Sequence, residues 1–572
     1  MVRPPKQFCL VLVKPSHYDD DGYVIQWFRS AIPSNSLAAL YGLARDCAAR
    51  RILGDDVAIQ VHPFDETNTR IRPDKLARLI GRADNGMVML VGVQSNQFPR
   101  ALDIARPLRE RGIQVAIGGF HVSGTISMLG GADADLDRAR AMGVSLFAGE
   151  AEGRLDEVLR DAAARSLKPL YDFMADLPSL AGTPIPLIPA MRASRTAGGL
   201  TSFDAGRGCP FQCSFCTIIN VQGRKSRSRS ADDVERIVRE NIAQGLKTFF
   251  ITDDNFARNR EWEPILDRLI HLRETENIKA RLILQVDTLC HKIPNFIAKC
   301  QRAGVRRVFI GLENINPDSL VRAKKRQNKI TEYRKMLLAW KSAGVITYAG
   351  YILGFPNDTL DSILHDIEVI KRELPVDMLE FFFLTPLPGS EDHQTLVRAG
   401  VPLDADMNRY DLNHATAPHS RMSRAEWERA YRAAWTMYYT DSHMETILRR
   451  IAAMSGRAGN AVLLLTWFKG SIGVEKVHPL EAGALRFKFR RDRRPGFPIV
   501  PRWKFYPAFA AETISKIARW LALYARLRWT YEWIKRDARR LEYSDLAILA
   551  HQPVKIASTQ SEPARPPRPA TI

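Results

Sequence analysis

The chain of 572 residues is too long for a single ordinary domain, so we expect two to four domains. Hydrophobic residues make up 45% of it and charged residues 26%, which is typical of a soluble globular protein and excludes a fibrous or low-complexity chain. The formal net charge is +20, which favours anionic partners such as lipid headgroups, acidic substrates or nucleic acid. Seven cysteines, three of them in one loop, exclude a disulfide framework.

The region 7–165 predicts a doubly wound, Rossmann-like α/β domain. Short apolar runs predict buried strands that alternate with helices, the strands at 8–13, 57–61, 87–93 and 113–117 and the helices at 36–50, 73–82 and 99–111. Such alternation predicts a parallel sheet with helices on both faces. Ligands of these sheets bind beyond the carboxyl ends of the strands, which here carry Ser95 after the third strand and Gly118, Gly119 and His121 after the fourth.

The region 166–198 is predicted to be a linker. It contains five prolines, which fix the backbone and cannot donate a ladder hydrogen bond, at 169, 178, 184, 186 and 189. We therefore expect neither a strand nor a helix in this region.

The region 199–395 predicts six β–α units. Strands are expected at 199–205, 247–252, 281–286, 305–312, 345–353 and 377–384, and helical stretches separate them. Six consecutive units predict a partial (β/α)6 barrel with its active groups at the carboxyl ends of the strands. A mostly helical, basic region is expected at 396–550, and a disordered tail at 551–572.

Three cysteines follow the first of these strands in the spacing C-x3-C-x2-C: Cys209, Cys213 and Cys216. Cysteine thiolates are the usual protein ligands of iron–sulfur clusters, so three of them can hold three irons of a [4Fe–4S] cluster. A closed structural zinc site needs four ligands, and no fourth cysteine or histidine lies nearby. The fourth iron would be open to a ligand that is not protein, while a zinc site and a redox disulfide are the alternatives.

The loop resembles that of the radical S-adenosylmethionine (SAM) superfamily, whose motif is CxxxCxΦC with an aromatic Φ. The resemblance implies that the cysteines bind the cluster, that SAM chelates the open iron, and that Phe215 flanks the adenine. It also implies radical formation from SAM with electrons from a flavodoxin- or ferredoxin-type donor. A cluster of this kind survives best in a reducing compartment, so we expect the protein in the cytoplasm.

The same resemblance suggests SAM contacts at later strand ends. Asp253 and Asp254 follow the second strand, where relatives place the group that holds the SAM ammonium; the alternative is an N-cap of the following helix. Glu313 lies in a G-x-E turn after the fourth strand and is expected near SAM. Ile352 and Gly354 match a GxIxGxxE motif that packs against adenine.

The N-terminal region resembles the cobalamin-binding domain that precedes many radical SAM domains. Its small hydroxyl residue and its Gly-Gly pair correspond to Ser95 and to Gly118 and Gly119, and we include the nearby His121. The family's cobalt-ligand motif, D-x-H-x-x-G, is absent from the first loop. The alternative is an α/β domain that binds no cofactor.

The basic run at 223–230 is predicted to be a turn that ends in a helix cap at Ser230, ahead of Asp232 and Asp233. A nucleic-acid patch is the alternative for this run.

A predicted helix near the C-terminus has Ile514, Ile517, Leu521 and Tyr524 on one face and basic residues on another. Basic amphipathic helices with tryptophan lie in the membrane interface, although a docked helix with a solvated basic face gives the same pattern. No apolar stretch is long enough to span a bilayer, so we expect at most peripheral contact with the inner face of a membrane.

Together these features predict a radical SAM enzyme with a [4Fe–4S] cluster, SAM and cobalamin that methylates an unactivated carbon of a small or lipid-like substrate. Oxidative cyclisation or another rearrangement is the alternative. An RNA-modifying enzyme is disfavoured, because methylthiotransferases have three further N-terminal cysteines and only Cys9 and Cys47 precede the motif here.

Overall fold

The computed structural model describes residues 5–131, 133–455 and 459–549. The predicted disordered tail at 551–572 lies outside these residues. Short 3₁₀ turns occur at Ser95–Gln97, Ala197–Gly199, Phe256–Arg258, Cys290–Lys292 and Met407–Arg409, and a π-helical turn at Ser471–Glu475.

A six-stranded parallel sheet forms the N-terminal part of the fold, in the order β3-β1-β4-β5-β6-β7. The strands of this part are Lys6–Lys14 (β1), Gln26–Ser30 (β2, outside the sheet), Val57–Asp65 (β3), Asn85–Leu90 (β4), Gln114–Gly118 (β5), Ser145–Ala148 (β6) and Leu170–Asp172 (β7). The order of the strands turns at β1, which has β3 on one side and β4 on the other. The predicted α/β region with a parallel sheet is confirmed, and this turn in strand order is the feature of doubly wound sheets.

Helices cover both faces of this first sheet: Asn35–Ala49 (α1), Pro73–Ile80 (α2), Phe98–Arg109 (α3), Phe120–Leu129 (α4), Ala134–Ala141 (α5) and Leu155–Ala163 (α6). Side chains alternate between two cores, because successive strand residues point to opposite faces. In β4, Val88 and Leu90 enter one core, whereas Met87 and Met89 enter the other. The continuous apolar runs that predicted buried strands follow from this two-sided burial.

The prediction that 166–198 contains neither strand nor helix is wrong. Leu170–Asp172 pairs in parallel with Leu146–Ala148 and is the edge strand of the first sheet, and a one-turn helix occupies Ala190–Ala193 (α7). Pro169 stands just before the strand, and at a sheet edge a proline costs little because one side of the strand has no ladder. Tyr171 enters the core at 2% exposure, which explains the pairing.

A second six-stranded parallel sheet follows, in the order β15-β14-β13-β12-β11-β8. Its strands are Leu200–Phe203 (β8), Thr248–Ile251 (β11), Arg281–Val286 (β12), Val305–Glu313 (β13), Ile346–Leu353 (β14) and Met378–Phe383 (β15), and Gly206–Arg207 (β9) pairs separately with Arg227–Ser228 (β10). All six predicted strands are confirmed. Their order along the chain is that of an incomplete barrel, since β8 and β15 are the two edges.

Helices connect these strands: Ile218–Val221 (α8), Ala231–Ala243 (α9), Trp262–Glu274 (α10), Phe296–Ala303 (α11), Pro317–Arg322 (α12), Ile330–Ser342 (α13) and Leu360–Glu373 (α14). The predicted cap of α9 is confirmed, because Ser230 accepts a hydrogen bond from Asp233 N and Asp233 accepts one from Ser230 N. The basic run before it therefore includes a structural turn.

The C-terminal part is mostly helical, with Glu391–Arg398 (α15), Arg424–Tyr438 (α16), Asp441–Ser455 (α17), Gly459–Gly470 (α18) and Arg502–Arg536 (α19). One strand, Gly483–Phe487 (β16), pairs antiparallel with β2 and so ties this part to the N-terminal region. In the described residues, no helix is both long enough and apolar enough to cross a membrane.

The open edge of the second sheet at β15 is covered by the end of α16. The Tyr439 hydroxyl accepts a hydrogen bond from Leu379 N at 3.1 Å and donates one to Leu379 O at 2.9 Å. Both residues are at most 2% exposed. A single side chain therefore satisfies a strand residue that would otherwise present unpaired backbone groups at a sheet edge.

We expect Tyr439→Phe to destabilise the fold by about 1–3 kcal/mol, because it leaves the two backbone groups of Leu379 buried and unpaired while it keeps the ring. Guanidinium unfolding followed by circular dichroism measures this loss. Tyr524→Phe is the matched control, since Tyr524 is 42% exposed and should change stability little. Equal midpoints for the two variants would contradict this role of Tyr439.

Candidate functional site

The three cysteines lie in the loop after β8, as expected for a site at the carboxyl ends of the strands. Cys213 is 8% exposed, and Cys209 and Cys216 are partly exposed. Gly208 has φ +87°, and a Cβ there would lie 2.5 Å from the carbonyl oxygen of Lys225. The chain before the first cysteine can therefore fold this closely only with glycine.

Burial raises the pKa of Cys209 to about 11 and that of Cys216 to about 12. The charge of Cys213 also raises both values, so the three thiols are electrostatic neighbours. Without a bound metal, the thiols of Cys209 and Cys216 would stay protonated at neutral pH. Thiolates would form when bound iron supplies the positive charge, as expected for ligands that lose a proton on metal binding.

Lys325 stands beside this loop and was not predicted from the sequence. Its ammonium pairs with Glu313 and lies 5.7 Å from the Phe215 ring centroid. Burial lowers its pKa, but the charges of Glu313, Cys213 and Cys216 raise it, so the net pKa lies above the ordinary value. Its position in the basic run 322–326, which is typical of a protein surface, hid it from sequence analysis.

Asp253 and Asp254 bind the backbone of the cysteine loop. Asp253 accepts hydrogen bonds from Ala205 N at 2.7 Å and Gly206 N at 2.8 Å through one oxygen, and from Asn259 Nδ2 at 2.8 Å through the other. Asp254 accepts one from the backbone N of the residue before Cys209, at 3.0 Å. Burial raises the pKa of each carboxyl to about 7. Neither aspartate caps the next helix, whose N-cap is Glu261, so that alternative is wrong.

The predicted adenine contacts meet in one apolar cluster. Ile352 packs with Ala323 and Phe355, and Phe215 lies against them. Gly354 has φ +101°, and a Cβ there would lie 2.0 Å from the ring of Trp427. The structure thus brings Phe215 and Ile352 together, whereas Gly354 is required by packing against α16.

Glu313 ends β13 with φ +64°, a left-handed conformation that is strained for this residue type. The register between β13 and β14 shifts at the same place. The side chain is directed to Lys325, so the strain is compensated by a buried ion pair next to the cysteine loop.

Arg207 joins the two parallel sheets. Its guanidinium, 10% exposed, donates to Glu150 Oε2 at 2.7 Å and Glu152 Oε1 at 2.6 Å, which follow β6 of the first sheet. It also donates to Asp204 Oδ2 at 3.1 Å. Arg227 donates to Glu150 as well, at 3.0 Å. These ion pairs hold the carboxyl ends of the two sheets toward each other, immediately before the first cysteine.

The predicted cobalamin residues lie together at the carboxyl edge of the first sheet. Ser95 Oγ is 3.2 Å from His121 Nδ1, and both residues are buried. Gly119 has φ +147°, and a Cβ there would lie 2.2 Å from Val93 N. Gly118 is less restricted, since its Cβ would lie 3.3 Å from Phe147. Of the pair, Gly119 is therefore the residue that the close approach of the two strand-end turns requires.

A second polar group covers the same edge and was not predicted. Glu481, from the C-terminal part, accepts a hydrogen bond from Asn96 Nδ2 at 3.2 Å and lies 3.6 Å from His17 Nε2. Burial raises the pKa of Glu481 to about 8 and lowers that of His17 to about 4, so both are uncharged at neutral pH. Glu481 Oε2 is buried with no hydrogen-bond partner among the described residues. A buried polar atom usually has a hydrogen-bond partner, so this oxygen is open to a donor from a ligand.

Comparison with known protein families identifies the second sheet and its loop. Residues 205–370 match the Radical SAM superfamily. The prediction of a radical SAM domain is thereby confirmed, and the match begins just before the three cysteines.

Several of the relatives are methyltransferases, and a magnesium-protoporphyrin IX monomethyl ester cyclase of Rubrivivax gelatinosus is also similar, at 26% identity over 33% of this chain and 34% of its own length. Bacteriochlorophyllide d C-8(2)-methyltransferase of Chlorobaculum tepidum is 26% identical over 58% of this chain and 73% of its own length. The C-12(1)-methyltransferase of the same organism is 26% identical over 51% of this chain and 64% of its own length. Hopanoid C-2 methylase of Rhodopseudomonas palustris is 26% identical over 42% of this chain and 45% of its own length, so the chain spans less than two thirds of the latter two.

Solved structures share the fold. The radical SAM methyltransferase TsrM of Kitasatospora setae, with cobalamin and a [4Fe–4S] cluster bound, superposes with a TM-score of 0.54 at 15% identity, covering 76% of this chain and 90% of that one. The cobalamin-dependent radical SAM enzyme OxsB, with aqua-cobalamin bound, superposes with a TM-score of 0.52 at 12% identity, covering 94% and 83%. At this identity the likeness concerns the fold.

We expect Arg207→Ala to lower the free energy of unfolding by about 3–5 kcal/mol, because it leaves the buried Glu152 carboxylate without its partner and removes one of the two arginines that pair with Glu150 and with Asp204. Guanidinium denaturation measures the loss. Arg224→Ala is the matched control, since Arg224 belongs to the same region of the chain and is exposed. If both variants unfold at the wild-type midpoint, Arg207 does not hold the two sheets together.

Proposed function

We propose that this protein is a cobalamin-dependent radical SAM enzyme that transfers a methyl group to an unactivated carbon. The observation that carries the proposal is the three-cysteine loop at the carboxyl end of β8, joined through Arg207 to the carboxyl edge of a doubly wound sheet. The match of residues 205–370 to the Radical SAM superfamily and the methyltransferase relatives support it.

In this proposal, Cys209, Cys213 and Cys216 hold a [4Fe–4S] cluster, which with bound SAM supplies a hydrogen-abstracting adenosyl radical. Lys325 supplies positive charge next to the cluster. Phe215 forms an apolar surface for the adenine, together with Ile352. Electrons come from an external donor of the flavodoxin or ferredoxin type.

We assign the SAM ammonium to Asp254 rather than to Asp253. Both oxygens of Asp253 already accept hydrogen bonds from Ala205, Gly206 and Asn259. Asp254 accepts one backbone hydrogen bond, which leaves acceptor capacity for a cationic group. A cation beside a carboxyl with a raised pKa would restore its charge.

Cobalamin, which supplies the methyl group, is proposed to bind at the carboxyl edge of the first sheet. The side chain of Ser95, the narrow turn at Gly118 and Gly119, and the unpaired Glu481 Oε2 support this position. The C-terminal part would then close over the cofactor, since Glu481 and Asn96 are already hydrogen-bonded across that edge.

The substrate is proposed to be a mainly apolar or lipid-like organic molecule rather than a macromolecule. The relatives are named for methylating bacteriochlorophyllide d and a hopanoid, which supports this class. Oxidative cyclisation is the competing reaction, and the two differ in their products from SAM.

We expect anaerobically reconstituted wild-type protein to contain about four irons per chain and to retain corrinoid absorbance after desalting. With a reductant and SAM it should form 5′-deoxyadenosine and, where methyl transfer occurs, S-adenosylhomocysteine. Cys213→Ala should lose the iron and both products.

Cys300→Ala is the matched control, because Cys300 is fully buried in the core beside α10 and not in the loop. A Cys213→Ala protein with wild-type iron content would overturn the cluster assignment. Loss of corrinoid on desalting would overturn the cobalamin assignment, and 5′-deoxyadenosine without S-adenosylhomocysteine would favour cyclisation.

We further propose that helix α19 places the enzyme on an anionic membrane surface in the cytoplasm. The helix docks through Trp520, which is near Trp467, and through a buried stripe that includes Leu523 and Leu527. The opposite apolar stripe stays outward: Ile514 is 68% exposed and Leu521 is 63% exposed. One face of α19 is therefore docked, as one of the two interpretations predicted. The other face has no partner among the described residues.

Charge complementarity favours lipid on this outward face. The helix carries eight basic and two acidic residues, a net charge of +6, and Trp503 and Trp529 are each more than 70% exposed. An apolar groove of about 330 Å³ adjoins the stripe, lined by Trp467, Leu485, Phe509, Ile517, Leu521 and Tyr524. Exposed apolar area with tryptophan and basic side chains matches the interface of an anionic bilayer.

We expect the full-length protein to float with vesicles of anionic phosphatidylglycerol and not with neutral phosphatidylcholine. The double variant Ile514→Asp/Leu521→Asp should lose flotation, because it puts charge into the apolar stripe. Val321→Asp is the control, since Val321 is 62% exposed on α12, away from α19. Wild-type protein that stays with the unbound fraction, or a dimer that dissociates in the double variant, would overturn the membrane assignment.

A further inference from the structure

His121 is a buried histidine with one ring nitrogen unaccounted for. It is 0% exposed, and Nε2 has no hydrogen-bond partner among the described residues. Burial lowers its pKa to about 4, so the ring is neutral and Nε2 or Nδ1 offers a lone pair. An unpaired buried nitrogen is costly unless a ligand uses it.

Two carboxylates lie close to the His121 ring. Asp133 and Asp135 lie at the start of α5, and one ligand atom from each of the three residues lies within 4.8 Å of the others. Asp133 is held in place as the N-cap of α5, because its Oδ1 accepts hydrogen bonds from Asp135 N at 2.8 Å and Leu136 N at 3.1 Å. Its second oxygen remains available.

Two neighbouring side chains also fix the orientation of the His121 ring. Its Nδ1 is 3.2 Å from Ser95 Oγ, and the ring packs on Phe98 with centroids 4.3 Å apart. Histidines that bind metal through one nitrogen usually donate the other N–H to an oxygen that fixes the tautomer. Ser95 is placed to accept that hydrogen bond and so to present Nε2 as the ligand atom.

His393, on α15, does not belong to this group. It is 4% exposed and its Nδ1 has no hydrogen-bond partner among the described residues, but the ligand atoms within 4.8 Å of one another come from the other three residues alone. The group therefore offers three protein ligands, which leaves the fourth position of a tetrahedral metal to water.

We propose that His121, Asp133 and Asp135 form a binding site for a divalent transition metal of the zinc type, separate from the iron–sulfur loop. One imidazole and two carboxylates are donors that zinc accepts, with water as the fourth ligand of a tetrahedral site. Arg138 pairs with Asp135, but it is 65% exposed and can turn into solvent when the metal binds.

The metal would act as a structural connection between α4, which carries His121, and the start of α5, which carries Asp133 and Asp135. Helix α4 also contacts α15 of the C-terminal part, since Gln394 Nε2 donates to Met128 O, and a Cβ on Gly124 would lie 2.5 Å from Pro388 O. A metal here would therefore fix the helix that makes this contact. The inference does not rest on the proposed methyl transfer.

The test uses full-length protein with its iron–sulfur cluster reconstituted, so that the cysteine thiols are occupied. After equilibration with Zn²⁺ and desalting, we expect about one zinc per chain in addition to iron, both measured by mass spectrometry. X-ray absorption at the zinc edge should show nitrogen and oxygen ligands without sulfur.

We expect Asp135→Asn to weaken zinc binding by a factor of at least about ten, and Ser95→Ala to weaken it by about ten to a hundred, as for other residues that orient a ligand. Asp137→Asn is the matched control, because Asp137 lies on the same helix, 67% exposed, and should bind zinc as the wild type does. Circular dichroism checks that each variant is folded. If Asp135→Asn does not fold, the zinc affinity of Ser95→Ala alone tests the proposed site.

Wild-type protein with less than about a tenth of a zinc per chain, sulfur ligands at the zinc edge, or equal zinc affinity for Ser95→Ala and Asp137→Asn would each overturn the proposal. Iron content is measured on the same samples, so failure of the zinc site is distinguished from failure of the cluster.

Discussion

The buried guanidinium of Arg207 is the interaction on which the arrangement of the site depends. It stands among Glu150, Glu152 and Asp204, which are each at most 7% exposed. Moving several charges out of water costs several kcal/mol per ion, and only close pairing compensates that cost. The three carboxylates therefore fix the position of the Arg207 guanidinium. Because Arg207 precedes the first cysteine by two residues, that position sets the cysteine loop relative to the first sheet.

This constraint places two strand edges opposite each other. In parallel sheets the carboxyl ends of the strands carry the ligand-binding loops. The first sheet brings Ser95 and the Gly-Gly turn to that edge, and the second sheet brings the cysteine loop. Arg207 and Arg227 connect the two edges through Glu150. In the proposed function, such an arrangement would bring a methyl donor and a hydrogen-abstracting radical to the same substrate, which neither sheet achieves alone.

The sequence predicted the parts of this fold that depend on local patterns. The six strands of the second sheet were located because buried parallel strands are continuous apolar runs, and the cysteine loop was found from its spacing. The edge strand at Leu170–Asp172 was missed because it is only three residues long, ends in an aspartate and has prolines around it. Glu481 and Lys325 were missed for another reason: their partners, Asn96 and Glu313, are brought to them by tertiary structure, and both look like surface residues in sequence. In α19, apolar residues occur on two faces, so periodicity alone could not tell that Leu523 and Leu527 dock while Leu521 stays outward.

The proposed zinc and cobalamin sites meet at one hydroxyl group, and this makes them dependent on each other. Ser95 Oγ is 3.2 Å from His121 Nδ1. With a metal on Nε2, the imidazole proton must be on Nδ1, so Ser95 accepts that hydrogen bond and keeps its own O–H free to donate to a cofactor at the sheet edge. Without a metal, the proton can move to Nε2, and the serine hydroxyl is then drawn to Nδ1. The metal would thus decide whether Ser95 presents a donor or an acceptor to the cofactor. The direction of the hydrogen bond that Ser95 makes in the cobalamin site would therefore be set by the occupancy of the zinc site.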